Sequence, residues 1–221
     1  MSPEQRQWYE AQLRSRALNE RKAALDQLAA EPAAEAIPIL QALASQGDVF
    51  QRRLAMMGFA HYLTDKSLTA LTELMAAETD GNVLAEAANS LFDFGERAIP
   101  LLVRLFKQHS DWLLRQTVLS LLMESEDVAA LLSVAADGMD DPTQTVKETA
   151  ILALRQIWGS AYQDTALALL AEQAKSEDWR TRWRVATALT GCQAPLAKTL
   201  LAQLRQDPHH RVVAAALEAS L

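Results

Sequence analysis

One short pattern returns seven times along these 221 residues. An acidic or small polar residue is followed by a basic one and then by a face of alanine and leucine. "GDVFQRRLAMM" (47–57), "SDWLLRQTVLSLL" (110–122), "DDPTQTVKETAILAL" (140–154), "EDWRTRWRVATAL" (177–189) and "DPHHRVVAAAL" (207–217) carry it most plainly, and "NERKAAL" (19–25) and "TDGNVLAEAANSL" (79–91) complete the set. Aligning the position usually filled by the base gives Arg21, Arg52, Ala85, Arg115, Lys147, Arg184 and Val213, a mean step of 32 residues. Repetition at this period marks a stacked array, because so short a unit cannot bury its apolar face alone.

A second set of segments lies between the first. "EAIPILQAL" (35–43) and "RAIPLLVRLF" (97–106) are near copies, with Pro38 and Pro100 two periods apart and each expected near a helix start. "DKSLTALTELM" (65–75), "EDVAALLSVA" (126–135), "DTALALLAEQ" (164–173) and "APLAKTLLAQL" (194–204) occupy the equivalent places. Apolar residues fall at i, i+3, i+4 and i+7, one stripe of an α-helix. Only 7 Gly and 7 Pro interrupt the chain, too few for a turn-rich β fold. The expectation is all-α: a right-handed α-solenoid of six to seven antiparallel helix pairs, one domain over residues 1–221. Ser2-Pro3-Glu4-Gln5 is set to cap the first helix, and the long step between 147 and 184 places a longer loop near 156–164. The final "AAALEASL" reads as part of a second helix.

The alternation of "AIPLL" helices with "DP…VK…A…AL" helices resembles HEAT repeats along essentially the whole chain. More narrowly, it is similar to the short cyanobacterial arrays grouped with phycobilisome lyases. The resemblance implies a groove on the concave side, lined by the second helix of each pair, that grips a protein partner. For the narrower group that partner is a phycobiliprotein with its bilin. It also implies a ladder in which the acid opening each second helix bonds a base: Asp48–Arg52, Asp111–Arg115, Asp141–Lys147, Asp178 with Arg184 or Arg182, and Asp207–Arg211. The same acids are placed to cap helix N–H groups.

Residues 178–184, Asp-Trp-Arg-Thr-Arg-Trp-Arg, are the most unusual stretch. Trp179 and Trp183 share a helix face, as do Arg180 and Arg184. Trp112 follows Asp111 as Trp179 follows Asp178, with Arg115 three residues on. These six side chains are the candidate binding residues, since Trp with Arg is a favoured interface anchor and suits aromatic or carboxylate ligands. The alternative is core packing with a solvated arginine fringe.

Other features carry less. The six carboxylates between Glu124 and Asp141 read as a solvated ridge and lack the spacing of a calcium loop. His209 and His210, adjacent at a helix start, are expected to diverge, so no metal site is assigned. His61 and His109 read as partly exposed helix residues, and Cys192 as an inert thiol at a turn. No nucleophile motif or phosphate loop is present, so no catalytic residue and no cofactor is assigned.

Net charge is −7, and neither half is basic, which disfavours nucleic acid and a glycosylase-like HEAT enzyme. The opening "MSPEQRQWYEAQ" lacks the apolar core of a signal peptide, and no run approaches a membrane span. A cytoplasmic, protein-binding module is the expectation. The alternatives are a general scaffold with no bilin role and a bilin lyase working with a second subunit.

Overall fold

The computed structural model describes residues 1–220 and contains fourteen α-helices and no strand among them. They run α1 (Pro3–Gln12), α2 (Leu18–Leu28), α3 (Ala33–Gln46), α4 (Val49–Phe59), α5 (Asp65–Ala77), α6 (Gly81–Phe92), α7 (Ile99–Gln108) and α8 (Trp112–Glu124). The rest are α9 (Val128–Gly138), α10 (Gln144–Ala153), α11 (Gln163–Gln173), α12 (Trp179–Ala188), α13 (Pro195–Leu204) and α14 (His210–Glu218). Odd and even helices alternate along the chain as the first and second members of successive helix pairs, as the repeat predicts. Leu221, read with the last helix, lies outside the described residues.

Contacts group the chain into two compact units, Met1–Leu102 and Val103–Leu221. In the first, α3 packs on α4 and α5, and α4 packs on α6. Leu40, Leu43, Met56, Phe59, Leu71 and Leu84 fill the space between them and are almost wholly buried. In the second, the even helices α8, α10, α12 and α14 pack successively side by side, while α11 meets α13. Phe106, Leu119, Leu122, Leu154, Ile157 and Leu170 are fully enclosed there. Each such side chain is worth about 1.5–3 kcal/mol relative to exposure, which is why the pairs need one another.

Local chemistry sets where the even helices begin. Asp48, Asp80, Asp111 and Asp178 are their N-caps, each accepting a bond from a first-turn N–H. Ser2 caps α1, its hydroxyl accepting from Gln5 N at 3.1 Å, with Pro3 as the first helical residue. Counting four residues from each N-cap gives Arg21, Arg52, Leu84, Arg115, Lys147, Arg182 and Val213. This corrects the sequence register at two places, Ala85 to Leu84 and Arg184 to Arg182. The three alternating arginines of α12 made the base ambiguous until its cap was fixed. Corrected, the steps are 31 or 32 residues except for 35 between Lys147 and Arg182.

Those extra residues form the predicted longer connection. A 3-10 turn over Leu154–Ile157 leads to Gly159, whose φ of +79° suits glycine, and α11 then starts at Gln163. Within this loop Trp158 donates from Nε1 to the carbonyl of Ala188 at 3.2 Å, tying it to α12. Pro38 departs from expectation: α3 begins at Ala33, so the ring sits inside the helix rather than at its start. The run Ala33-Ala34-Glu35-Ala36 is strongly helix-forming and extends α3 upstream of the proline, at the loss of one backbone bond.

Candidate functional site

The caps of α12 and α14 bring the unusual residues together in the second unit. Asp178 accepts from Arg180 N at 3.1 Å and so makes Trp179 the first residue of α12. One turn on, Trp183 shares its face, with ring centroids 6.3 Å apart. His209 caps α14, its Nδ1 accepting from Arg211 N at 3.3 Å, which requires that nitrogen to be unprotonated. The imidazole lies flat on Trp179, 3.9 Å between centroids and 4° from parallel. His210 continues the stack at 4.8 Å. The expectation that the two histidines diverge is therefore corrected. His209 has the extended backbone of a cap, φ −99° and ψ 119°, so its ring leaves the direction of the helix it opens.

Guanidinium groups surround these rings. Arg180 lies 4.7 Å and Arg211 5.5 Å from the Trp179 ring centre, and Arg184 stands 4.0 Å above Trp183. Two arginines of this stretch are committed elsewhere. Arg182 donates to both oxygens of Asp207 at 2.6 and 3.0 Å and to the carbonyls of Ser176 and Glu177. Arg184 donates from Nε to Glu148 of α10 at 2.7 Å. Arg180 has only a 3.9 Å approach to Asp178, and Arg211 has no ion pair among the described residues. Both are exposed. Cover by its neighbours, then the charges of His210 and Arg211, hold the His209 pKa below the usual 6.5, against a partial pull from Asp207.

The ladder exists, with different partners. None of Asp48–Arg52, Asp111–Arg115, Asp141–Lys147, Asp178–Arg184, Asp178–Arg182 or Asp207–Arg211 is formed. Asp48 and Asp111 spend their carboxylates on caps, accepting from Gln51 N and from Leu113 N and Leu114 N. The base instead reaches forward to an acid two residues before the next even-helix cap. Arg52 donates to Glu78 at 2.7 and 3.2 Å, Arg115 pairs with Asp141, and Arg182 with Asp207. Each acid also accepts a backbone N–H of its own loop: Asp80 N to Glu78 at 2.9 Å, Thr143 N to Asp141 at 2.7 Å, His209 N to Asp207 at 2.8 Å. A long arginine spans adjacent packed helices, whereas a carboxylate committed to a cap has little left to offer its own turn. Lys147 makes no ion pair among the described residues, and Ser176 occupies the acid's place in the following loop.

These bonds shift the acids. Burial alone would raise Glu78, but Arg52 and the N–H groups of Asp80 and Thr79 outweigh it and hold its pKa below the ordinary value. For Asp207 the bond from Arg182 dominates, and its pKa too is lowered.

Two candidates from the sequence stand apart from the cluster. Arg115 is tied into the ladder and sits 4.2 Å over the Phe106 ring, so it is not free to meet a ligand. Trp112 is 48% exposed at the start of α8, and no aromatic or cation–π contact joins it to Trp179 among the described residues. Conversely, the sequence reading assigned Arg211 to the ladder and gave His209 and His210 no role, so none of the three was placed in this cluster. Their signal was positional: His209 holds in α14 the cap place that Asp178 holds in α12, beside Trp179 along the stack. Cys192 is buried at the turn after Gly191. No helix among the described residues is long and apolar enough to cross a membrane.

Comparison with known proteins follows the repeat. The HEAT-repeat family model matches residues 68–155 and again 128–221. Among solved structures, the karyopherin Kap121p bound to the extreme C-terminus of the protein phosphatase Cdc14p has a TM-score of 0.63 and 20% identity, covering 99% of this chain. Kap121p bound to RanGTP gives the same score and identity, and Kap121p bound to Nup53p scores 0.62 at 20% identity, each again covering 99% of this chain. The chain spans only 28% or 29% of the length of these karyopherins, and at such identity the likeness is one of fold. A search of curated proteins gives no match. With the family model covering well over half of it, the chain belongs to the HEAT-repeat family.

Proposed function

We propose that this protein is a protein-binding scaffold whose partner docks over the starts of α12 and α14, anchored by Trp179 and Trp183. The observation that carries the reading is the cluster itself. Two half-buried tryptophans are held in fixed geometry and flanked by guanidiniums, two of which have no committed carboxylate. Tryptophan and arginine are the residue types that dominate interface energetics, and preorganised side chains lose little entropy on binding. The karyopherins of similar fold hold protein partners, among them a phosphatase C-terminus and RanGTP, which supports the same class of role here. Affinity capture on immobilised protein, wild type against Trp179→Ala/Trp183→Ala, tests it. The reading expects defined proteins held by the wild type and lost by the variant; identical capture by both would remove the site.

The finer reading makes the partner a phycobiliprotein with its bilin. It rests on the resemblance to the phycobilisome lyase group and on the chemistry of the cluster, in which indole faces suit a tetrapyrrole plane and arginine suits propionates. Its test is a visible-absorbance titration with phycocyanin and with free phycocyanobilin. A saturable shift lost in Trp183→Ala/Arg180→Ala supports it, and a flat titration leaves only the general scaffold.

A further inference from the structure

Resting on that docking site, we infer that its ligand is an acidic protein segment: aspartate or glutamate side chains flanking an apolar one. The argument is one of charge and geometry. In a protein of net charge −7, the starts of α12 and α14 present two exposed guanidiniums, Arg180 and Arg211, that lack an internal counter-ion of hydrogen-bonding quality. Both lie at the Trp179 ring, at 4.7 and 5.5 Å from its centre. An arginine resting on an aromatic ring keeps its edge N–H donors free, and the ring limits its rotamers, so the fork is prepared for a carboxylate. The neighbouring arginines show the preference at work: Arg182 is already gripped by Asp207 in two bonds and Arg184 by Glu148. Beside the arginines, the indoles of Trp179 and Trp183 are only half-buried although His209 and Arg184 each cover one of them, and what they leave exposed is apolar surface for a Phe, Leu or Ile of the segment. Nucleic acid is the weaker match, because a phosphate chain needs a row of cations and this surface offers two within an acidic molecule.

The experiment is fluorescence anisotropy with a labelled short peptide of Asp and Glu around a central Phe. The same peptide with Lys for every acid and a labelled single-stranded RNA serve as the other arms. The acidic peptide is expected to bind saturably and to weaken with added salt. Arg180→Gln and Arg211→Gln should each weaken it by about tenfold, the loss of one charge-assisted contact. Both side chains are exposed, and unchanged circular dichroism and melting of the variants confirm that folding is intact. Equal or tighter binding of the lysine peptide or the RNA overturns the inference. So does the absence of any saturable response to the acidic peptide, or undiminished binding by the double variant. Repeating the affinity capture with Arg180→Gln/Arg211→Gln separates this failure from that of the docking site. Capture lost with the tryptophan variant but kept with the arginine variant overturns the acidic ligand and leaves the site standing.

Discussion

Arg182 of α12 grips Asp207 from one helix pair to the next, with Nε and Nη2 at 2.6 and 3.0 Å from its two oxygens. The side chains are only 14% and 5% exposed, so little water replaces the bonds if one partner is removed. Arg182→Met is therefore expected to cost about 2–3 kcal/mol, because it strands Asp207 and frees two loop carbonyls. In a chain of this length that is a fall in melting temperature of about 4–12 °C. Chemical denaturation of Arg182→Met, Asp207→Asn and the double variant measures the coupling, expected above about 0.5 kcal/mol. A coupling of zero removes the ladder as a stabilising device.

The ladder also sets a pH dependence. Glu78 and Asp207 have pKa values below their ordinary 4.5 and 3.8 in the folded state. With the folded values depressed, the stability they contribute is complete above the unfolded pKa and is lost as pH falls through the folded one. Unfolding free energy should thus fall steeply only below about pH 4.5, and less steeply in Arg52→Met/Arg182→Met, where the shift is relieved. Denaturant titrations between about pH 6 and pH 3 test this, and parallel curves for variant and wild type would argue against it.

A similar distance elsewhere has a different consequence. Arg97 lies 2.7 Å from Asp65, but the two are 55% and 88% exposed. Solvent screening and side-chain entropy cancel most of the attraction, so Arg97→Ala should change stability by less than about 0.5 kcal/mol. A loss approaching that of Arg182→Met would mean that burial is not what distinguishes them.

Much of the fold was legible in the sequence because periodicity is a backbone property. The Ala/Leu stripes name the helices, and Ser2-Pro3 and the aspartates name their starts. Partner choice was not legible in the same way. Asp178 and Arg182 are four apart and look paired, yet the cap takes Asp178 and the neighbouring pair supplies Asp207. The candidate site was half visible for the same reason. Trp179, Arg180 and Trp183 announce themselves within one helix, whereas His209 and Arg211 join them only through the contact of α12 with α14. Pro38 shows the converse, a strong local signal overridden by the helix-forming residues before it.

Gly138 sits where α9 is packed against α10. It ends α9, and a Cβ there would stand 2.8 Å from the Cβ of Ala150 in α10, with Leu119 and Phe106 at 3.5 Å. Neither a methyl group nor the backbone behind it swings aside, so Gly138→Ala should lose about 1–3 kcal/mol through overpacking, despite the better helix propensity of alanine. Gly58 meets only the tips of Leu40 and Leu25, which have rotamers to yield. Gly58→Ala should cost less. Thermal melts of the two variants decide the order, and a stabilised Gly138→Ala would show that α9 and α10 separate freely.

His209 makes the candidate site sensitive to protons. Its Nδ1 must stay unprotonated to cap α14, and its ring lies flat on Trp179 with Arg211 and His210 beside it. Cover and neighbouring positive charge lower its pKa from 6.5. For a base whose folded pKa is depressed, the unfolded chain takes up the proton first, so stability is complete above about 6.5 and declines as pH falls towards the folded value. Titration of the imidazole by NMR should place His209 below 6.5, and Trp179→Ala should move it upward as the ring is uncovered. His209→Asn keeps a capping acceptor but cannot titrate. Wild type should therefore lose more stability than this variant between about pH 7.5 and pH 5.5, a window in which the depressed carboxylates remain ionised. Equal losses would mean that the cap and stack do not discriminate between neutral and charged imidazole.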